Sequence, residues 1–274
     1  MKKRLRIGIV GCGAIGMSLA KIIVKDLRLR AQLSAVYDID PLKSRNAARV
    51  SSKNKNCAVK DLKSLIARSD LVIEAASARS SLDIARNVLS SGKDIVIMSV
   101  GGVVEKYPAL TKLAGRCNAR LYIPSGAICG IDALKAARSG RITSVTLITS
   151  KPPQSFRSVP YIQEHKIDLD AIHKDTVLFS GTATQAMRYF PQNINVAGIL
   201  SLAGIGPDKT RVRIVASPSA TRNTHEIVIE SDSGRIITRT ENVIHPDNPK
   251  TSYLAVLSAA ALIRQILDPG RIGT

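Results

Sequence analysis

Two sets of residues have the types and spacing for chemistry. The first is a histidine at the head of the segment TRNTHEIVIESDSG, residues 221–234. Read with period two, His225, Ile227 and Ile229 share one face and Glu226, Val228 and Glu230 the other. The imidazole therefore points with the isoleucines, toward an interior or a cleft. A histidine titrates near neutrality, so one in that position can move a proton during catalysis or can be a satisfied core residue. The second set is the glycine run GCGAIG at 11–16, which follows the apolar stretch LRIGIV.

Gly11, Gly13 and Gly16 fit GxGxxG between a strand and a helix, with Asp38 22 positions past the last glycine. Gly11 permits the tight turn, Gly13 lets a pyrophosphate approach the backbone, and Gly16 lets helix and strand pack closely. Ala14 and Ile15 open the helix, whose free N–H groups and dipole favour phosphate. Asp38 suits the hydroxyls of an adenosine ribose and would repel a 2′-phosphate, which favours NAD. Lys43 and Arg45 just downstream offset part of that repulsion, so NADP stays open.

Those residues need elements to position them. After LRIGIV, strand-like runs recur as AQLSAVYDID, DLVIEAAS, KDIVIMSV and ARLYIPSG, separated by helical stretches. This alternation implies a Rossmann-type α/β fold with a doubly wound parallel sheet. Ligands in such sheets gather beyond the carboxyl ends of the strands. The segments AASAR (with Ala76), SVGG and PSGAICG (with Ala127) lie there, small enough for a nicotinamide to rest on the backbone. Beyond about residue 140, RITSVTLITS, TRVRIVASP, THEIVIESDSG and RIITRTEN predict a mostly antiparallel sheet and an α+β second domain. DSG reads as the hairpin turn between the last two. Residues 151–176, polar and punctuated by proline, read as a covering loop, and NPKTSYLAVLSAAALIRQIL as a helix. The expected domains are 1–125 for the dinucleotide, 126–250 for substrate, catalysis and dimerisation, and 251–274 as a helix packing back on the first. A cleft between two such domains is the expected home of a substrate.

Composition narrows the partners. The chain of 274 residues has a formal charge of +19, and residues 1–125 hold 23 Lys+Arg against 9 Asp+Glu. Those cations are scattered, no nucleic-acid reading motif accompanies them, and aromatics are 3% of the chain, leaving little to stack on bases. A basic field suits a phosphate-bearing cofactor and an acidic substrate. Cys12, Cys57, Cys117 and Cys129 form no CxxC pair and have no histidine at ligand spacing, so no metal is expected. No apolar run is long enough for a bilayer, and no cleavage site follows the charged start. A cytoplasmic protein without nucleic-acid or membrane partners is expected.

Several of these segments together resemble the L-aspartate dehydrogenase family: GCGAIG, MSVGG at 98–102, IPSGAICGIDALKAA at 123–137, FPQNINVAGILSLAGIG at 190–206, NTHEI at 223–227 and NPKTSYLA at 248–255. The resemblance spans nearly the whole chain. It implies NAD(P)-dependent oxidation of L-aspartate to iminoaspartate or, after hydrolysis, oxaloacetate and ammonia, with the imine available to NAD biosynthesis. It also implies a homodimer built through the second-domain sheet, a catalytic role for His225, and cofactor contacts from Ala127 and Asn195. The departures are the strongly basic first half and Cys129, where a smaller residue is expected.

On its own position, Asn195 can bind a nicotinamide amide or cap the helix beginning near it. His165 and His173 fall in the polar segment, where an exposed or loop-ordering role is expected, and His245 near the last helix is a candidate to border the cleft. Lys250, with Thr251 and Ser252 at the predicted start of that helix, is the candidate for the substrate carboxylates. Two other readings stand beside this one. One is a reductase of a cyclic imine or another small carbonyl acid, similar to the dihydrodipicolinate reductases. The other is an NAD-sensing regulator that binds nucleic acid.

Overall fold

The computed structural model describes residues 4–50, 55–190, 194–246 and 248–273. The chain forms two units, residues 1–124 with Val256–Arg271 and residues 125–255 with Ile272–Thr274. In the first, β1 (Leu5–Val10) leads into α1 (Ala14–Lys25), β2 (Ala31–Tyr37), α2 (Pro41–Arg49) and α3 (Leu62–Ala67). There follow β3 (Leu71–Glu74), α4 (Ala78–Ser90), β4 (Asp94–Ile97), α5 (Tyr107–Arg116) and the two-residue β5 (Leu121–Tyr122). The strands pair in the order β2-β1-β3-β4-β5, all parallel. Every residue of β3 is buried, and so are the last four of β1, as a sheet covered on both faces requires. Helix α1 buries Gly16, Leu19, Ala20 and Ile23, the i, i+3, i+4, i+7 stripe of a helix lying on a sheet.

The second unit begins with α6 (Ile131–Ala137) and the long β6 (Ile142–Lys151), followed by α7 (Pro160–Glu164), β7 (Thr176–Thr182), α8 (Ala183–Tyr189) and α9 (Ile194–Ala203). Then come β8 (Arg211–Ala216), β9 (Asn223–Ser231), β10 (Gly234–Asn242), β11 (Ile244–His245) and β12 (Asn248–Ser252). Its main sheet has the order β10-β9-β6-β8-β7, in which only the β6–β8 pair is parallel. The expected hairpin joins β9 to β10: Ser231 pairs with Gly234 across Asp232 and Ser233. Alternation sends Val145, Leu147, Val212, Ile214, Ile227 and Ile229 to one buried face.

Two expectations are corrected. Residues 151–176 are not merely a covering loop, because Phe156, Val159, Ile162 and Leu169 are buried. Tyr161 of this segment packs against Phe179, Tyr189 and Phe190, with ring centroids 5.0–5.9 Å apart. The prolines hide this in the sequence by breaking the apolar spacing. The last helix, α10, spans Tyr253–Leu267 rather than starting at 248, since residues 248–252 pair with β11 as a strand. Pro249, which has no N–H to give a helix, suits this better.

From Val256 onward α10 belongs to the first unit, where Val256, Ala259, Ala260 and Ile263 join the core with Leu19, Ile23 and Ile73. Ile263 is fully buried while Leu257 on the same helix is 41% exposed. Ile263→Ala is therefore expected to lower unfolding free energy by about 2–5 kcal/mol. Leu257→Ala should stay within about 0.5 kcal/mol. Denaturant unfolding followed by circular dichroism checks both, and equal losses would contradict the assigned face.

Candidate active site

In the first unit the glycine run leaves β1 and turns into α1. Gly11 has φ +89°, and a Cβ there would lie 2.4 Å from the Ala75 carbonyl oxygen. A Cβ on Gly16 would lie 1.9 Å from the Gly11 carbonyl oxygen, so helix and turn meet backbone to backbone. At Gly13 a Cβ would meet nothing within 4 Å. Gly13 is also the N-cap of α1, gives no side-chain cap, and is followed by no acidic residue in the first turn. The positive dipole end of the helix, with Ala14 and Ile15 in its first turn, thus has neither a capping side chain nor an acidic one against it. A pyrophosphate fits this cradle.

Asp38, just past β2, is held in place by the same turn. Its Oδ2 accepts from the Cys12 N–H at 2.7 Å and its Oδ1 from the Asp40 N–H at 2.9 Å. Its own N–H donates to Ser44 Oγ at 2.8 Å. A carboxylate accepts about four hydrogen bonds, so capacity remains for ribose hydroxyls. Cys12 itself is buried, and loss of water pushes its thiol up to about 12, with Asp38 adding to the effect. It is a packing residue, not a nucleophile.

One residue here escaped the sequence reading. Glu74 closes β3 and is fully buried. Its Oε1 accepts from the Ala76 N–H at 2.8 Å and its Oε2 from the Ser99 N–H at 3.0 Å. Burial raises its carboxyl above the usual range while those N–H groups oppose the rise. One carboxylate thereby ties together the AASAR and SVGG segments, and Ala76 is exposed at that junction. The available signal was an acid ending the otherwise apolar run LVIE.

In the second unit the buried sheet face changes chemistry toward one end. Continuing the rows of Val145 and Leu147 come Thr149 and Lys151, and beyond Ile229 and Ile227 comes His225. His225 is flanked across the sheet by Thr149 on β6 and Thr240 on β10. Its Nδ1 lies 3.0 Å from Thr149 Oγ1, and the side chain is 5% exposed. Loss of water and then the charge of Lys151 push the imidazole down to about 3, so it is neutral in the ligand-free protein. Lys151 is 8% exposed, and burial brings its ammonium down to about 8.

The segment carrying Ala127 is fastened to this end. The Ala127 carbonyl accepts from Thr240 Oγ1 at 3.2 Å and from Asn242 Nδ2 at 3.1 Å. Asn242, buried, uses its Oδ1 to accept from Ser252 Oγ at 2.7 Å. Sequence reasoning named Ala127, Ser252 and His225 but missed Thr149, Lys151, Thr240 and Asn242. Period-two alternation through ITSVTLITSK placed Lys151 with Val145 and Leu147, which was the available signal.

The other candidates fall as follows. Asn195 is the second residue of α9 and exposed, so it is not the helix cap. Lys250, Thr251 and Ser252 lie on β12, which runs directly into α10, so Ser252 stands at the position before the first helical residue, Tyr253. Lys250 is placed only by its backbone on that strand. His165 is exposed and stacked on Tyr161, and His173 is exposed. His245 is buried and edge-on to Tyr253. Among the described residues no group of three or more acidic, histidine or cysteine side chains could hold a metal. Among them, too, no helix is long and apolar enough to cross a membrane.

Comparison with known proteins places this geometry. The family model for the aspartate dehydrogenase C-terminal domain matches residues 132–266, and that for the homoserine dehydrogenase NAD-binding domain matches 11–124. An L-aspartate dehydrogenase of Methanococcoides burtonii is 44% identical over 272 residues, 98% of this chain and 100% of that one. The chain belongs to the L-aspartate dehydrogenase family. A second member of that family, from Methanosarcina mazei, is 43% identical with the same coverage. The crystal structure of aspartate dehydrogenase from Thermotoga maritima superposes with a TM-score of 0.72 at 25% identity, covering 99% of this chain and 100% of that one. As a family member the chain is an oxidoreductase with NAD or NADP as cofactor.

The state of His225 has a thermodynamic signature. Its ordinary value of 6.5 falls to about 3 in the fold. Between those values the unfolded chain binds a proton that the folded chain refuses, so stability falls as pH drops through that window. The limiting slope is about 1.4 kcal/mol per pH unit. Relative to His225→Asn, the wild type is expected to lose stability progressively as pH drops below about 6.5, measured by denaturant unfolding at several pH values. A gap independent of pH would show that His225 protonates normally.

Proposed function

We propose that this chain oxidises L-aspartate to iminoaspartate, with water then releasing oxaloacetate and ammonia, and that His225 handles the protons. The single observation that carries the reading is a buried neutral imidazole at the polar end of the second sheet, in a chain 44% identical throughout to a named L-aspartate dehydrogenase. The bound nicotinamide supplies the acceptor for the hydride that leaves the substrate Cα.

The rest is done by the chain's own groups. The glycine cradle and Asp38 hold the dinucleotide at its pyrophosphate and ribose, and the Glu74-tied segments with Ala76 border its path. Ala127 and Asn195 contact the cofactor in this reading. Thr149 Oγ1 accepts from Nδ1–H of His225, which leaves Nε2 with its lone pair as the base. As hydride leaves Cα, the amine lone pair forms the C=N bond and a nitrogen-bound proton passes to Nε2. Nε2–H then returns its proton to the imine nitrogen, and the freed Nε2 takes a proton from the water that adds to the imine carbon. An imidazole held near 3 is a weak base, but substrate aspartate brings two carboxylates. Negative charge beside His225 favours its protonated form and raises its basicity when it is needed.

We further propose a homodimer through the second sheet. Strand β10 is an edge, and Ile237, Val243 and Ile244 on or beside it are 46–58% exposed. Light scattering after gel filtration is expected to give twice the 29.4 kDa chain mass. A monomeric mass would remove the proposal.

Activity tests the main reading. Wild-type protein should form NADH from L-aspartate, and His225→Ala should lose at least about a hundredfold in kcat while staying folded. A folded variant with unchanged kcat would assign the proton to another group.

A further inference from the structure

Aspartate bound for oxidation carries two carboxylates, and a site that excludes water has to answer them with cations or N–H groups. Lys151 is the one lysine or arginine among the buried described residues. It ends β6 on the same face as Thr149, two residues past the direct cross-strand neighbour of His225. Such diagonal neighbours have Cα atoms roughly 7–8 Å apart, within reach of a long side chain. On the other side its register partner is the buried, small Ala216. The backbone is fixed as well, since the Lys151 carbonyl accepts from the Ser217 N–H at 2.9 Å.

Resting on the aspartate-oxidising reading of this site, we propose that Lys151 is the receptor for a substrate carboxylate beside His225. Removing an ammonium from water is unfavourable, and an apolar side chain would continue the row of Val145 and Leu147 without that cost, so the position keeps its charge for a reason other than packing. Its charge already acts on the imidazole, pushing His225 down. A carboxylate settling on Lys151 screens that charge, so recognition of the substrate and activation of the base occur together.

The test uses full-length protein, with succinate as a dicarboxylate that has no amine to react. Lys151→Met is expected to raise KM for L-aspartate at least about tenfold and to weaken succinate binding by calorimetry in proportion, with KM for the dinucleotide unchanged. Lys151→Arg, which keeps the charge, should recover part of both. In the wild type, succinate should shift the His225 imidazole resonances and leave those of exposed His165 and His173 in place. A folded Lys151→Met protein with unchanged KM and succinate affinity overturns the proposal, and so does a His225 signal unmoved at saturating succinate. If the wild type yields no NADH from aspartate yet binds succinate through Lys151, the activity reading falls and the carboxylate site stands. Absence of both turnover and succinate binding overturns both.

Discussion

The second unit is organised around the removal of a cation and an imidazole from water on one sheet face. Lys151 and His225 each lose hydration, and each responds by shifting toward its neutral form. Neither shift would survive if the face were wet, so the apolar rows of Val145, Leu147, Ile227 and Ile229 set the charge state of both groups as well as forming the core. Thr149 holds the imidazole through Nδ1, and Thr240 holds the backbone carbonyl of His225, on a strand that is paired on both edges. A side chain on such a strand is held more firmly than one on a loop.

The first unit meets a different constraint, a tight strand-to-helix turn whose helix start is not blocked by side chains. Gly11 and Gly16 let turn and helix meet at backbone distance, and Gly13 leaves the approach open. Acidic side chains then fix the surroundings through backbone N–H groups. Asp38 holds Cys12 and Asp40, while Glu74 holds Ala76 and Ser99. The two carboxylates differ in exposure: Glu74 is sealed in the core, whereas Asp38 is partly accessible and keeps acceptor capacity.

Much of this was legible in the sequence because it depended on local rules. GxGxxG between a strand-like run and a helical one specifies a turn whatever surrounds it, and period two put His225 inward without any tertiary knowledge. What was hidden depended on strand register. Thr149, Thr240 and Asn242 matter because pairing sets them beside His225 and Ala127, and no local pattern states which residue of one strand faces which of another. The start of the last helix was misjudged for a related reason. The apolar period of YLAVLSAAALI ran plausibly back through NPKTS, and only pairing with Ile244 and His245 makes that segment a strand. Phe156, Val159 and Ile162 lay hidden among prolines, which break periodicity without preventing burial.

The hairpin at Asp232 and Ser233 acts as a ruler. From that turn, nine paired rungs run without a bulge to Asn242 opposite Asn223, and Thr240 meets His225 on the way. A slip of one residue would send Thr240 and Asn242 to the far side of the sheet and strand the Ala127 carbonyl. The turn is exposed and distant along the strands from the histidine it sets, which would ordinarily leave its length free to vary. Here the far end fixes it: the turn cannot gain or lose a residue without moving the pairing at Thr240 and Asn242.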